Sequence, residues 1–301
     1  MTADVVVVGD ALIDELRDER GVREFVGGAA LNVAVGLSRL GHSAALIAMV
    51  GDDADGARVR TYLSTFGVTL IATPSPLGTA RAISERINGE PTYIFNNASK
   101  NRSIVFGSAE RDAIGSARAV VVSCMALDDP AQVMGLRAAL DGSDADLFID
   151  PNPRAGMMRD RDEFVRGFEA LIARARLVKV GDDDTELLYN SRVEAVRGWL
   201  RERGVPVVVS TLGRDGARID SEDVAVERGI AHMPGAVVDT MGAGDAVLSA
   251  MVSWTLTATQ PVDWAAGVER AMDVAAATVR HEGALLQIPA QPGESYDRIE
   301  T

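Results

Sequence analysis

The stretch that decides how this chain reads is VVDTMGAGDAVLSAM, residues 237–251. A glycine–alanine–glycine bend separates Asp239 and Thr240 from Asp245, and Val247, Ala250, Met251 and Trp254 then follow at helical spacing. The chain therefore turns out of AVVDT (236–240) and enters a helix within a glycine-rich bend. Glycines permit positive φ and let a ligand approach the backbone closely. Successive N–H groups at a helix start, helped by the helix dipole, form a site for an anion. An aspartate there repels a resting anion. It becomes useful when that anion is a phosphoryl group attacked by a hydroxyl whose proton the carboxylate accepts. The plainer alternative is a turn with Asp245 as a helix-start carboxylate, and the stretch by itself leaves both open.

Working outward, short β-branched runs alternate with helical patterns. The candidate strands are VVVVG (5–9), ALIAMVG (45–51), AVVVS (119–123), DLFID (146–150), LVKV (177–180) and PVVVS (206–210). Near-continuous apolar runs suit strands covered on both faces, as in a parallel sheet between helical layers. Between them run stripes such as Val33, Leu37 and Leu40, closed by Gly41, and Val268, Ala271, Met272, Ala275 and Val279, closing at Gly283. This order predicts an α/β fold, doubly wound around a mostly parallel sheet.

Two segments break the rhythm. Residues 13–28 are charged and carry no helical stripe, while ARAISERINGEPTYIFN (80–96) alternates in polarity, with Asn88-Gly89 as a hairpin turn. Both leave the body early in the chain, which predicts a small antiparallel β lid formed by about 13–27 and 79–105 on a single domain spanning 1–301.

Composition excludes much. A net charge of −14 argues against binding a nucleic-acid backbone. Lys100 and Lys179 are the only lysines among 30 basic residues, a skew that reads as genome composition. The single cysteine, Cys124, permits no intrachain disulfide and reads as a small buried hydrophobe. MTADVVVVGDALIDE lacks the basic start of a secretory signal, and no apolar run approaches the ~18 residues of a membrane span, so the expectation is a cytoplasmic protein without membrane contact. No lysine follows a glycine, which removes the phosphate loop G-x-x-x-x-G-K-[ST]. The first strand ends in GDALID rather than G-x-G-x-x-G. His42, His232 and His281 are scattered, and no G-x-S-x-G elbow occurs. Chemistry must then rest on carboxylates, backbone amides and arginines.

DTMGAGDA (239–246) resembles the signature D-T-x-G-A-G-D of the ribokinase-like (PfkB) carbohydrate kinase family, and GGAALNVAVGLSRLG (27–41) resembles its N-terminal G-G-x-x-x-N-x-A followed by L-G. The resemblance covers essentially the whole chain and implies a doubly wound α/β domain with a β lid. It implies Asp245 as catalytic base toward the sugar hydroxyl that attacks the γ-phosphate of ATP, with Gly242, Ala243 and Gly244 as the anion hole. Backbone donors with Mg²⁺ then suffice without a phosphate-loop lysine.

On the substrate side the resemblance implies Asp14, Gly28 and Asn32, the first of which can accept from two adjacent hydroxyls. VKVGDDDTELL (178–188) matches the segment where many members carry N-x-x-E, but here Gly181 replaces asparagine and Asp184 replaces glutamate. Asp184 keeps a carboxylate that could hold a Mg²⁺-bound water; a solvated acidic helix start competes with that reading. STLGRDGA (210–217) is similar to the nucleotide-side T-x-G-x-x-G, implying Thr211 and Gly213 near phosphates or ribose and Gly216 in a hairpin turn. DPNPR (150–154) is similar to a stretch in fructokinases and 2-keto-3-deoxygluconate kinases, which makes Arg154 a partner for a substrate or phosphate oxygen, against a surface ion pair. Arg102 is a lid-side candidate. Asp239 and residues 280–284 correspond to a monovalent-cation site, K⁺ in some relatives.

The expectation is therefore a fructokinase-like, ATP-dependent sugar kinase, pairing through its lid into a homodimer. A nucleoside kinase on the same fold and a non-catalytic sugar or nucleotide sensor are the rivals. Aromatics near the lid (Phe25, Tyr93, Phe95) are few for the first, and retention of Asp245 with its glycines speaks against the second.

Overall fold

The structure, a computed structural model, describes residues 3–19, 21–87 and 90–289. Among these residues thirteen strands run β1 (Val5–Gly9), β2 (Leu12–Asp18), β3 (Gly21–Gly27), β4 (Ala44–Gly51), β5 (Thr69–Ser75), β6 (Ala80–Ile87), β7 (Glu90–Phe95), β8 (Ala119–Ser123), β9 (Asp146–Asp150), β10 (Ala175–Gly181), β11 (Val207–Thr211), β12 (Ala217–Asp220) and β13 (Ala225–Arg228). The helices are α1 (Ala29–Arg39), α2 (Ala54–Thr65), α3 (Asn97–Lys100), α4 (Ser108–Ser116), α5 (Pro130–Leu140), α6 (Arg161–Ile172), α7 (Asp182–Tyr189), α8 (Val193–Glu202), α9 (Ala243–Thr257) and α10 (Trp264–Thr278).

Nine strands form the main sheet in the order β13-β12-β11-β10-β9-β8-β1-β4-β5. All pairs from β5 to β11 are parallel, and β12 and β13 add an antiparallel edge. The Val5–Val8 run shows why: Val5 and Val7 enter the core under α1, α2, α9 and α10, while Val6 and Val8 enter the opposite core under α4 to α8. Helices on both faces leave no polar side for such a strand. The chain winds from β1 outward to β4 and β5, then returns to β8 on the other side of β1. That reversal opens a crevice beyond the carboxyl ends of the strands, where ligands of such sheets bind.

The second sheet, β3-β2-β6-β7, is antiparallel within its two hairpins and parallel where β2 meets β6. Only Asp10 and Ala11 separate it from β1, so it starts at the carboxyl end of that strand, beside the crevice. The Asn88-Gly89 turn lies outside the described residues. Arg81 on β6 fastens this sheet to the body, reaching Asp55 at 2.5 Å as well as Glu15 and Glu24 within the sheet. On its other edge Arg23 pairs with Glu282, and the Phe25 ring lies against Gly283. Past Phe95 the chain continues as α3 and then an irregular segment to α4. No helix among the described residues is long and apolar enough to cross a membrane.

Three strands escape the sequence reading. β5 is a half-exposed edge strand carrying Pro74, and β12 with β13 are four-residue strands of alternating exposure. None offers the apolar run that marks the buried strands.

Candidate active site

Gly242 caps α9 in the left-handed region, with φ 75° and ψ 0°. A Cβ there would lie 2.7 Å from Ala284 Cα, so conformation and space both demand glycine. The N–H groups of Gly244 and Asp245 lie in the first helical turn and find no carbonyl four residues back. The bend therefore presents unpaired main-chain donors at the positive end of a 15-residue helix.

Asp245 follows at once, buried, with Asn32 Nδ2 donating to its Oδ2 at 2.8 Å. Close packing of α1 on α9 places that bond. One turn further along each helix, Ser249 Oγ lies 2.6 Å from where a Cβ on Gly36 would stand. Burial pushes the Asp245 carboxyl up to about 7 and the charge of Asp150 adds to it; the Asn32 hydrogen bond and the charges of Lys179 and Arg154 oppose the rise. A base with that affinity is matched to proton abstraction near neutral pH.

Asp14, on β2, is half-buried. Its carboxyl is also raised to about 7, first by burial and then by Asp10, with Asp245 and Asp239 contributing and Arg154 opposing. A Cβ on Gly27 would fall 2.1 Å from Asp14 Oδ2, so the first glycine of the pair makes room for this carboxylate. Gly28, at φ 106°, instead packs so closely that a Cβ on it would stand 3.0 Å from Asp10 O and Ala11 Cα. Asp10 accepts from Ala30 N at 3.0 Å and so serves the start of α1. Arg154 is exposed at the mouth and forms no ion pair among the described residues; the charges of Asp245, Asp184 and Asp10 reach it.

Asp184 Oδ2 accepts from Gly181 N at 2.7 Å, the reciprocal half of a capping box at α7. Burial lifts its carboxyl to about 6, with Lys179 opposing. The departure at position 181 has a steric counterpart: a Cβ there would stand 3.0 Å from Thr211 Oγ1. Thr211 thus ends β11 beside α7, and Gly213, at φ 55°, begins the turn into the β11–β12 hairpin, which Gly216 closes. Asp239 spends both oxygens on backbone, accepting from Met241 N at 3.0 Å and Gly283 N at 3.2 Å. Among the described residues, no group of three or more His, Cys, Asp or Glu side chains could hold a metal ion.

Arg102 lines a small cavity with Gly9, Asp10 and Met157. Its guanidinium is buried and donates to the carbonyls of Ser99, Cys124, Met125 and Met157, which makes it a clasp beneath the small sheet. Cys124 is buried, as expected, and burial pushes its thiol up.

One site residue carried no role in the sequence reading. Lys179 Nζ donates to Asp150 Oδ2 at 2.7 Å, one step past the Val178–Ile149 pair of β10 and β9, and it faces Gly244. Its signal was a lysine inside an apolar strand of a chain that otherwise uses arginine almost throughout.

Known proteins bear on this geometry. The family model described as pfkB family carbohydrate kinase matches residues 2–291. A fructokinase of Rhizobium leguminosarum bv. trifolii is 28% identical over 253 residues, covering 80% of this chain and 76% of that protein. Among solved structures, an E. coli protein in complex with ATP and Mg²⁺ superposes with TM-score 0.79 at 20% identity, covering 95% of each chain. A double mutant of Vibrio cholerae O395 fructokinase, in a form bound to fructose, ADP and potassium ion, gives TM-score 0.78 at 21% identity, again covering 95% of each. With its two signatures, its sheet order and a family match over almost its whole length, the chain belongs to the pfkB family of carbohydrate kinases.

Proposed function

We propose that this phosphotransferase moves the γ-phosphoryl group of ATP to a hydroxyl of a fructose-like sugar, with Asp245 as the base. The observation that carries the reading is the buried Asp245 carboxyl, raised to about 7, whose own amide and that of Gly244 are unpaired at the start of α9. Those amides receive the charge that develops on the migrating group, and Asp245 takes the proton of the attacking hydroxyl. Asn32 holds the carboxylate in place through its 2.8 Å bond. Asp14 accepts from neighbouring sugar hydroxyls, Gly28 sets the close turn beneath the sugar, and Arg154 supplies a free guanidinium at the mouth. Thr211 and Gly213 line the nucleotide side.

The residues fit Mg²⁺ only as a companion of the nucleotide. With one oxygen of Asp184 bound to Gly181 N, its carboxylate has at most one oxygen for a metal-bound water. Phosphate oxygens and water would supply the remaining ligands, as is usual for this ion. Bound Mg²⁺ would neutralise charge on the β- and γ-phosphates. At the K⁺ position, Asp239 acts as a clasp between two loops, so carbonyl oxygens would form most of the shell.

Two copies pair through the small sheet, whose Val22, Tyr93 and Ile94 are exposed. Light scattering across a concentration series tests that pairing. The activity itself is tested by coupled ADP release over fructose, ribose, 2-keto-3-deoxygluconate, tagatose and nucleosides. Turnover with fructose or a close ketose supports the assignment, preference for a nucleoside replaces it with the nucleoside-kinase reading, and binding without ADP release returns the chain to a sensor.

A further inference from the structure

β10 reads ARLVKVG, and residues 177–180 of it are buried. A charged ammonium at Lys179, 5% exposed, therefore loses most of its hydration, where a methionine or leucine would fill similar space. Its partner is no less buried: Asp150 is 0% exposed, and its Oδ1 has no hydrogen-bond partner. A half-satisfied buried pair is a poor device for stability. Its location offers another use. Lys179 Nζ lies 3.1 Å from where a Cβ on Gly244 would stand, so the ammonium rests against the backbone of the anion-binding bend. Of its three donors one goes to Asp150, and no second acceptor engages it among the described residues.

We propose that Lys179 is the side-chain cation of the phosphoryl-transfer centre, donating from Nζ to an oxygen of the γ-phosphoryl group seated on the Gly244 and Asp245 amides, while Asp150 aims the ammonium. The inference rests on the assignment of that bend to the γ-phosphate. During transfer, the bond from the γ-phosphorus to the β–γ bridging oxygen breaks, and ADP departs with its electron pair. A new bond forms from phosphorus to the sugar oxygen, whose proton goes to Asp245. Lys179 gives up no proton; it remains an ammonium and offsets charge on the equatorial oxygens. A chain without a phosphate-loop lysine thus brings a lysine to the phosphate from a neighbouring strand.

The test is calorimetric binding of Mg·AMP-PNP and Mg·ADP, which differ in the γ group, to the wild type, to Lys179→Met and to Lys179→Met/Asp150→Asn. The double variant removes both buried charges, so it carries the test if the single one fails to fold. The expected result is an AMP-PNP affinity lower by about 10- to 100-fold, the size of a charged hydrogen bond, with ADP affinity within about threefold of wild type. Parallel changes for the two nucleotides, or no change for either, overturn the role of Lys179 while leaving the kinase assignment standing. A wild-type protein that binds neither nucleotide overturns both.

Discussion

Asn32 and Asp245, 213 positions apart, are joined by a 2.8 Å hydrogen bond from Nδ2 to Oδ2. The bond ties the two family signatures into one unit: the asparagine of the first orients the acid of the second. It also fixes which oxygen of Asp245 remains to accept a proton, since Oδ2 is already engaged.

Activity should follow the ionisation of that acid. With its carboxyl at about 7, Asp245 is protonated and idle in acid and becomes a competent base as pH rises. The kcat of the wild type is expected to climb through pH ~7 and level off above it. Asp245→Asn should lower kcat by roughly 10²–10⁴ with little change in KM and should abolish that rise. Steady-state ADP release from acid to alkaline pH checks both; near-normal turnover by the variant removes Asp245 from the chemistry.

Stability should move the opposite way. A carboxyl raised in the folded state binds its proton more tightly there than in the unfolded chain. Its contribution is whole below the unfolded value near 4 and is lost as pH rises to about 7. Asp245→Asn keeps an oxygen for Asn32 and sheds the buried charge. It should raise Tm by roughly 2–6 °C above pH 7 and by much less near pH 4 to 5. Thermal melts of both proteins at two pH values decide it, and equal shifts at both would contradict the linkage.

Gly27 offers a probe of sugar binding that leaves the fold intact. A Cβ there meets only the Asp14 side chain, which can swing aside. Gly27→Ala should leave Tm nearly unchanged, raise the sugar KM by roughly 10- to 100-fold through the lost charged hydrogen bonds, and spare the KM for ATP. An unchanged sugar KM would show that Asp14 does not hold the substrate.

Arg102 should behave as a structural residue. Arg102→Ala strands four carbonyl acceptors beneath the small sheet and is expected to cost about 2–4 kcal/mol of stability with KM values unaltered. Denaturant titration beside kinetics separates this from a ligand-binding role, which would change KM at unchanged stability.

The sequence announced what repeats along a single element. Val5–Val8 and Val207–Val209 are legible as buried strands because no side of them is polar, and Val33, Leu37 and Leu40 as a helix because their spacing is. Strands β12 and β13 stayed hidden, each being four residues of mixed exposure whose pairing comes from two turns, at Gly213–Gly216 and at Ser221–Val224. The parallel joint of β2 with β6 depends on strands some 70 residues apart and has no local signal. Around the site, the glycine-rich bend into a helix at Gly242–Asp245 was readable, although the Ala243 amide turns back to the Thr240 carbonyl. Lys179 was not, because its meaning comes from register beside Asp150 and from a helix start delivered by a distant part of the chain.

The short turn at residues 281–284 is a party wall. Ala284 stands behind Gly242 on one side, and Gly283 supports the Phe25 ring of the small sheet on the other. A bulkier residue at either position would crowd one tenant, so this stretch has little freedom to drift in sequence. An inserted residue would unseat the cover and the phosphate bend together.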